Sequence, residues 1–212
     1  MNVNRFRNWL TGLIVLMGLS WTGYGQTTPV DTAHTKQYAI EVAGIKVGTM
    51  TANRQQRDKQ SVVYTLISDV KVNFLVYKVK IYYKVVSLVQ QGKLIRSTVD
   101  AHTNKGNFSS RTEWKGDHYE ITADQYKYTH KGTETRLIDY TVTDMFFSEP
   151  TNRNRAYSEY FGDYFTLTSP IKGTYQATLN DREDEYHYEN GQLVKIIKKN
   201  PLKNFIIRPI RK

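Results

Sequence analysis

From Gln37 onward, hydrophobic and polar residues alternate singly along much of this chain. The pattern is plainest from Asn73 to Val89, NFLVYKVKIYYKVVSLV. Leu75, Tyr77, Val79, Ile81, Tyr83 and Val85 hold its odd positions, and Lys78, Lys80, Tyr82 and Lys84 hold even ones. A period of two sends these sets to opposite faces of a β-strand, one apolar and one mixed and basic. Wound as a helix, the same residues scatter around the axis. Gly-containing turn signals break the chain at short intervals: Gln91-Gly92-Lys93, Lys115-Gly116-Asp117, Lys131-Gly132-Thr133 and Asn190-Gly191. Asn190-Gly191 is the strongest, because both residues accept the positive φ of a type I′ hairpin.

Strands are therefore predicted near 37–43, 46–54, 60–72, 73–90, 93–103, 107–114, 118–123, 126–131, 164–168, 173–179, 183–189, 192–199 and 204–209. Such regular spacing predicts an all-β sandwich or barrel built as an antiparallel meander. One stretch departs from it. In IDYTVTDMFFSEP (138–150), Asp144 is placed to cap a short helix near 144–149, which Pro150 would stop.

Composition supports strands: sixteen tyrosines and eight phenylalanines accompany many Val, Ile and Thr residues. The chain has no cysteine, which excludes disulfides and thiolate chemistry, so the fold must rest on its core. Residues 1–25 read as a secretory signal helix. Arg5 and Arg7 precede the apolar run Leu10 to Leu19, and small residues precede a cut after Gly25. Residues 26–36 then form a flexible leader, and 37–212 a single antiparallel β domain with no further membrane-spanning segment. A periplasmic or secreted location follows. The formal charge of +10 falls by two when Arg5 and Arg7 leave with the signal. Export makes nucleic acid a poor partner for that charge and leaves anionic membrane, acidic glycan or protein.

Chemical signatures are few. His34, His102, His118, His130 and His187 are too widely spaced for a local metal-ligand pair, and no metal or cofactor is expected. His187 shares an alternate-residue face with Glu183, Glu185 and Glu189, the mark of a solvated edge. No G-x-S-x-G, P-loop or G-x-G-x-x-G motif is present, so binding is expected ahead of catalysis. Glu149 and Glu159 flank the aromatic stretch containing Phe146, Phe147, Tyr157 and Tyr160, which makes these six the candidate ligand-binding residues. Two carboxyls in an aromatic cleft are also the apparatus of a glycan hydrolase. The plainer alternative has Glu149 accepting from a loop backbone and Glu159 pairing with Arg153 or Arg155. Lys78, Lys80 and Lys84 form a candidate basic surface for anionic membrane or glycan, or simply guard strands against edge-to-edge pairing.

The stretch Tyr38-x-Ile40-x-Val42-Ala43-Gly44-Ile45-x-Val47-Gly48-x-Met50-x-Ala52 resembles the opening of a family of exported bacterial β-proteins of unknown function. Met145-Phe146-Phe147-x-Glu149-Pro150, Tyr157-Ser158-Glu159-Tyr160-x-Gly162 and Tyr186-x-Tyr188-x-Asn190-Gly191-x-Leu193 resemble the remainder of its pattern. The resemblance implies a curved antiparallel sheet similar to the half-barrel of periplasmic lipoprotein carriers. Such a sheet encloses an apolar cavity, which makes a lipid or other apolar small molecule the expected ligand. It implies no activity.

Overall fold

A computed structural model describes residues 33–74, 77–199 and 203–210. Its strands are β1 (Ala33–Val42), β2 (Ile45–Gln56), β3 (Ser61–Phe74), β4 (Tyr77–Gln90), β5 (Lys93–Thr103), β6 (Gly106–Trp114) and β7 (Tyr119–Gln125). They continue as β8 (Tyr128–Glu134), β9 (Arg155–Ser158), β10 (Asp163–Ile171), β11 (Thr174–Leu179), β12 (Arg182–Glu189), β13 (Gln192–Lys198) and β14 (Phe205–Pro209). All fourteen join one sheet in the order β8-β7-β6-β5-β4-β3-β2-β1-β14-β13-β12-β11-β10-β9, with antiparallel neighbours throughout. The sheet is not closed: β8 and β9 are its two ends.

Alternation decides which face is buried. On β7 the side chains of Tyr119, Ile121, Ala123 and Gln125 are buried, and the three between them are exposed. On β12, Asp184, Tyr186 and Tyr188 repeat the pattern. Among the described residues four register shifts interrupt it, one of them between Thr168 and Ile171 on β10. Val47, Ile95 and Val194 are the extra residues opposite the steps Ile40/Glu41, Leu88/Val89 and His187/Tyr188. The last two put Leu94 with Ser97, and Leu193 with Ile196, on the same buried face. Bulges also bend the strand that carries them and sharpen its twist.

The sheet must curl. β6 and β9 lie eleven steps apart in the strand order, which in a flat sheet is roughly 50 Å. Yet Thr112 Oγ1 on β6 and Tyr157 Oη on β9 share a hydrogen bond of 2.7 Å. The buried faces of both arms therefore look into one trough. Close backbone approach fixes two glycines: a Cβ at Gly48 would sit 2.3 Å from the Asp69 carbonyl, and at Gly162 (φ +65°) 2.5 Å from Ile121 Cγ2.

The chain between β8 and β9 threads the trough. Tyr157 accepts from Val142 N at 2.8 Å and donates to Tyr140 O at 3.0 Å, so this segment covers the free edge of β9. Instead of a helix reaching residue 149, it contains a single 3₁₀ turn, Asp144–Phe146. Pro150 disfavours helical backbone at Glu149, and sheet tyrosines claim the turn's carbonyls.

Other sequence-based boundaries also move. β1 begins at Ala33, inside the expected leader. The alternation from Asn73 spans two strands, since Asn73 and Phe74 pair with Lys78 and Tyr77 across a hairpin. Lys131-Gly132-Thr133 lies within β8, and the turn before that strand uses Lys127 at φ +58°. β9 was not anticipated. The expected signal helix at 1–25 lies outside the described residues. Among those residues, no helix is long and apolar enough to cross a membrane.

Candidate functional site

The threaded segment, residues 138–161, holds most of the residues singled out from sequence. It is anchored first at Ile138, whose carbonyl accepts from Leu94 N at 2.8 Å. Ile138 N donates to Tyr119 Oη at 3.2 Å, and that hydroxyl donates on to Leu94 O at 2.9 Å. Asp144 then accepts from Thr141 N at 2.8 Å and Thr141 Oγ1 at 3.0 Å. Burial raises the Asp144 carboxyl above its ordinary value, against the opposing pull of those Thr141 bonds.

Hydroxyls from the sheet satisfy carbonyls in and after the 3₁₀ turn. Tyr188 donates to Met145 O at 2.7 Å, Tyr38 to Phe146 O at 3.4 Å and Tyr140, within the segment, to Ser148 O at 2.7 Å. Lys36 Nζ also reaches Phe146 O, at 3.1 Å. Carbonyls at a helix end are orphaned unless side chains or water meet them, so the turn is clamped rather than merely packed.

Five of the six candidate ligand-binding residues come together in the trough. The Phe146 ring meets Tyr38 edge-on at 5.5 Å, Phe147 packs on Tyr64 at 5.4 Å and Tyr160 on Tyr83 at 5.9 Å. Tyr157 is bound to Thr112, as above. Glu159 is 2 % exposed and accepts from Ser87 Oγ on β4 at 3.3 Å. Glu149 stands apart: it is half-buried and accepts from Tyr175 Oη on β11 at 2.9 Å. Its partner is thus a side chain instead of a loop backbone. Nor does Glu159 pair with an arginine: Arg153 binds Asp139 at 2.8 Å, and Arg155 stacks on Tyr164. The two carboxyls share no partner among the described hydrogen bonds.

Around Glu159 lies a buried polar patch in aromatic surroundings. Burial raises its carboxyl, while the Thr143 and Thr141 hydroxyls oppose that shift. The Tyr83 phenol is raised by burial and then by the Glu159 charge, and the Tyr186 phenol by burial, Asp184 and Glu159. These phenols stay uncharged at neutral pH. Tyr186 Oη and Ser97 Oγ are buried without a hydrogen-bond partner among the described residues. Sequence reading missed Tyr83, Ser87, Ser97 and Tyr186 as members of the patch, because each reaches it by strand register and not by local spacing.

At one end of the trough, apolar residues are only partly covered. Val47, Val72, Ile81, Tyr83, Phe161 and Phe205 pack against the core from β2, β3, β4, the β9–β10 turn and β14 while remaining half-exposed. On the outer face of the same strands, Lys80 is exposed and lies directly opposite Lys71, and Lys84 is half-buried opposite Asp100. Lys78 pairs with Asn73 in the backbone register, and its side chain lies outside the described ones.

The profile of a family described as a domain of unknown function, DUF6134, matches residues 38–210, so the chain belongs to that family. No curated protein and no solved structure matches it.

Proposed function

We propose that this DUF6134 member is an exported, non-enzymatic binding protein whose curled sheet acts as a half-barrel holding an apolar or amphiphilic small molecule. The observation that supports this reading is the half-exposed apolar rim leading to the buried patch of Glu159, Tyr186 and Ser97. Six half-exposed hydrophobic side chains gathered on one rim differ from the single apolar residues normally scattered over a surface. Ligand sites join an apolar lining to a few fixed polar groups. Here the lining would take an acyl or other apolar body, and the uncharged hydroxyls and raised carboxyl would take its polar end.

The test is saturable binding of an uncharged apolar fluorophore, N-phenyl-1-naphthylamine, followed by displacement with a long-chain fatty acid or monoacylglycerol. Ile81→Asp puts a charge on the rim without opening the deep core. It should weaken binding about tenfold, the equivalent of losing some 60 Å² of apolar contact, and leave the melting transition cooperative. Absence of saturable binding, or equal affinity in Ile81→Asp, refutes the proposal.

A second reading rests on the outer face of β3 and β4. Like charges directly across a strand pair are destabilising, yet Lys71 opposes Lys80. Asp69, 3.7 Å from Lys71, takes up part of that repulsion, and an anionic membrane or glycan surface would offset the remainder at Lys71 and Lys80. Salt-sensitive binding to anionic vesicles tests it, and no binding at low salt removes it.

A further inference from the structure

Away from the trough rim, a groove of about 430 Å³ is lined by Asp139 and Tyr140, by the turn before β9, by Arg155 of β9 and by Tyr164 of β10. Its charges do not cancel. Arg153 binds Asp139 at 2.8 Å, with its guanidinium 4.7 Å from the centre of the Tyr140 ring. Arg155 lies 4.5 Å over the Tyr164 ring and has no carboxylate or carbonyl partner among the described residues. Arg136 also approaches that ring, at 5.6 Å, but its charge is taken up by Glu134 through a forked contact at 2.8 and 3.2 Å. One cationic charge, that of Arg155, is therefore left without an anion.

Its setting suits recognition. A guanidinium stacked on an aromatic ring keeps its planar edge free and pre-oriented for two parallel hydrogen bonds to an oxyanion. Tyr164 adds a second unmet demand. Its hydroxyl is buried and has no hydrogen-bond partner among the described residues, a condition that ordinarily costs stability. Burial is the main cause that pushes this phenol up to about 12, so it remains a donor at physiological pH. Beside these groups, Asn152 and Asn154 line the groove and make no side-chain hydrogen bond among the described residues. Their turn is fixed by Thr151 N to Glu149 O at 2.8 Å and Arg153 N to Pro150 O at 3.2 Å, with Asn152 at φ +60°.

We propose that this groove binds a small hydroxylated oxyanion, a carboxylated or phosphorylated sugar. The oxyanion sits on Arg155 and, as that guanidinium turns from the ring to meet it, on the Tyr164 hydroxyl beneath, and the sugar hydroxyls meet the amides of Asn152 and Asn154. The volume falls within the range of about 300–1,000 Å³ usual for small-molecule sites. The site is separate from the trough and stands whether or not the trough holds an apolar ligand.

Isothermal titration of the full chain at low salt tests it, with glucuronate and glucose 6-phosphate as probes and glucose as the neutral control. At least one acidic sugar should bind, and glucose should bind at least tenfold more weakly. Binding of only one acidic sugar identifies the oxyanion as carboxylate or phosphate. Arg155→Gln should reduce affinity at least tenfold, and Arg155→Lys should fall between it and the parent because it keeps charge but not the fork. Tyr164→Phe removes a hydroxyl with no internal partner, so it should weaken binding several-fold while leaving the melting temperature unchanged or raised. No binding of either acidic sugar up to about 10 mM, equal binding of glucose, or undiminished affinity in both Arg155→Gln and Tyr164→Phe overturns the proposal.

Discussion

Replacing Glu159 by Gln should stabilise the protein increasingly as pH rises. Glu159 is 2 % exposed, and its raised carboxyl means that the native state holds the proton more tightly than the unfolded chain does. A carboxyl raised on folding contributes stability at and below its ordinary value of 4.5 and loses it as pH climbs through the folded value. One proton is at stake, so the loss proceeds at up to about 1.4 kcal/mol per pH unit across that window. Glutamine keeps the shape and the acceptor for Ser87 and does not titrate. The stability of Glu159→Gln relative to the parent should therefore differ by no more than about 1 kcal/mol near pH 4, the worth of one altered hydrogen bond. Above that it should grow at that slope until Glu159 ionises in the native protein.

The other groups facing this carboxyl are Asp144, the phenols of Tyr83 and Tyr186, and beyond them the Asp184–Lys198 pair. Asp144 is raised as well, so its own titration steepens the curves of both proteins. Half-buried carboxyls lowered by their partners, such as Glu113 and Glu134, lose stability in the opposite direction as pH falls, but they are common to both proteins and cancel in the difference. The assay is urea denaturation at half-unit steps from pH 4 to pH 8, compared at constant m-value. A difference that stays flat across the range would mean that Glu159 is solvated in the native state, and the buried polar patch would lose its foundation.

Two further substitutions test the packing that shapes the trough. Gly162→Ala and Gly44→Ala both place a side chain at positive φ, but a Cβ meets Ile121 Cγ2 at 2.5 Å in the first and nothing within 4 Å in the second. Gly44→Ala should cost about 1–2 kcal/mol and Gly162→Ala a further 1–3 kcal/mol; equal losses in urea denaturation would show that the β9–β10 corner does not press on β7. Tyr157→Phe should cost about 1–3 kcal/mol by leaving Thr112 Oγ1 buried and unpaired. Thr112→Val in the same protein should recover part of it, and failure of that rescue would argue against the bond that spans the trough.

Sequence carried the fold where one face of a strand is wet and the other dry. β7, β12 and the Lys80 and Lys84 positions of β4 follow plain alternation, and Asn190-Gly191 turns with both residues at positive φ. It misled where a turn lacks the usual residues. Tyr126-Lys127 reverses the chain without glycine or asparagine, and Gly132 attracted the turn instead of remaining inside β8. β9 has four residues, three of them buried in succession, so it has no alternation to detect. The short helix was overestimated because capping residues were visible, while the tyrosines that satisfy the turn's carbonyls come chiefly from distant strands. The candidate site was legible as a local run of aromatics with Glu159. Its partners were not: Ser87 and Glu159 are 72 residues apart, and only the curl of the sheet brings them together.

The central claim, that the trough holds an apolar molecule, is tested most directly by native mass spectrometry. The protein is isolated without detergent, measured natively and denatured, and measured natively again after incubation with a long-chain acyl lipid. The account predicts an added mass in the native spectrum that disappears on denaturation, or one gained stoichiometrically on incubation and reduced in Ile81→Asp. A single unliganded mass under every condition would contradict it.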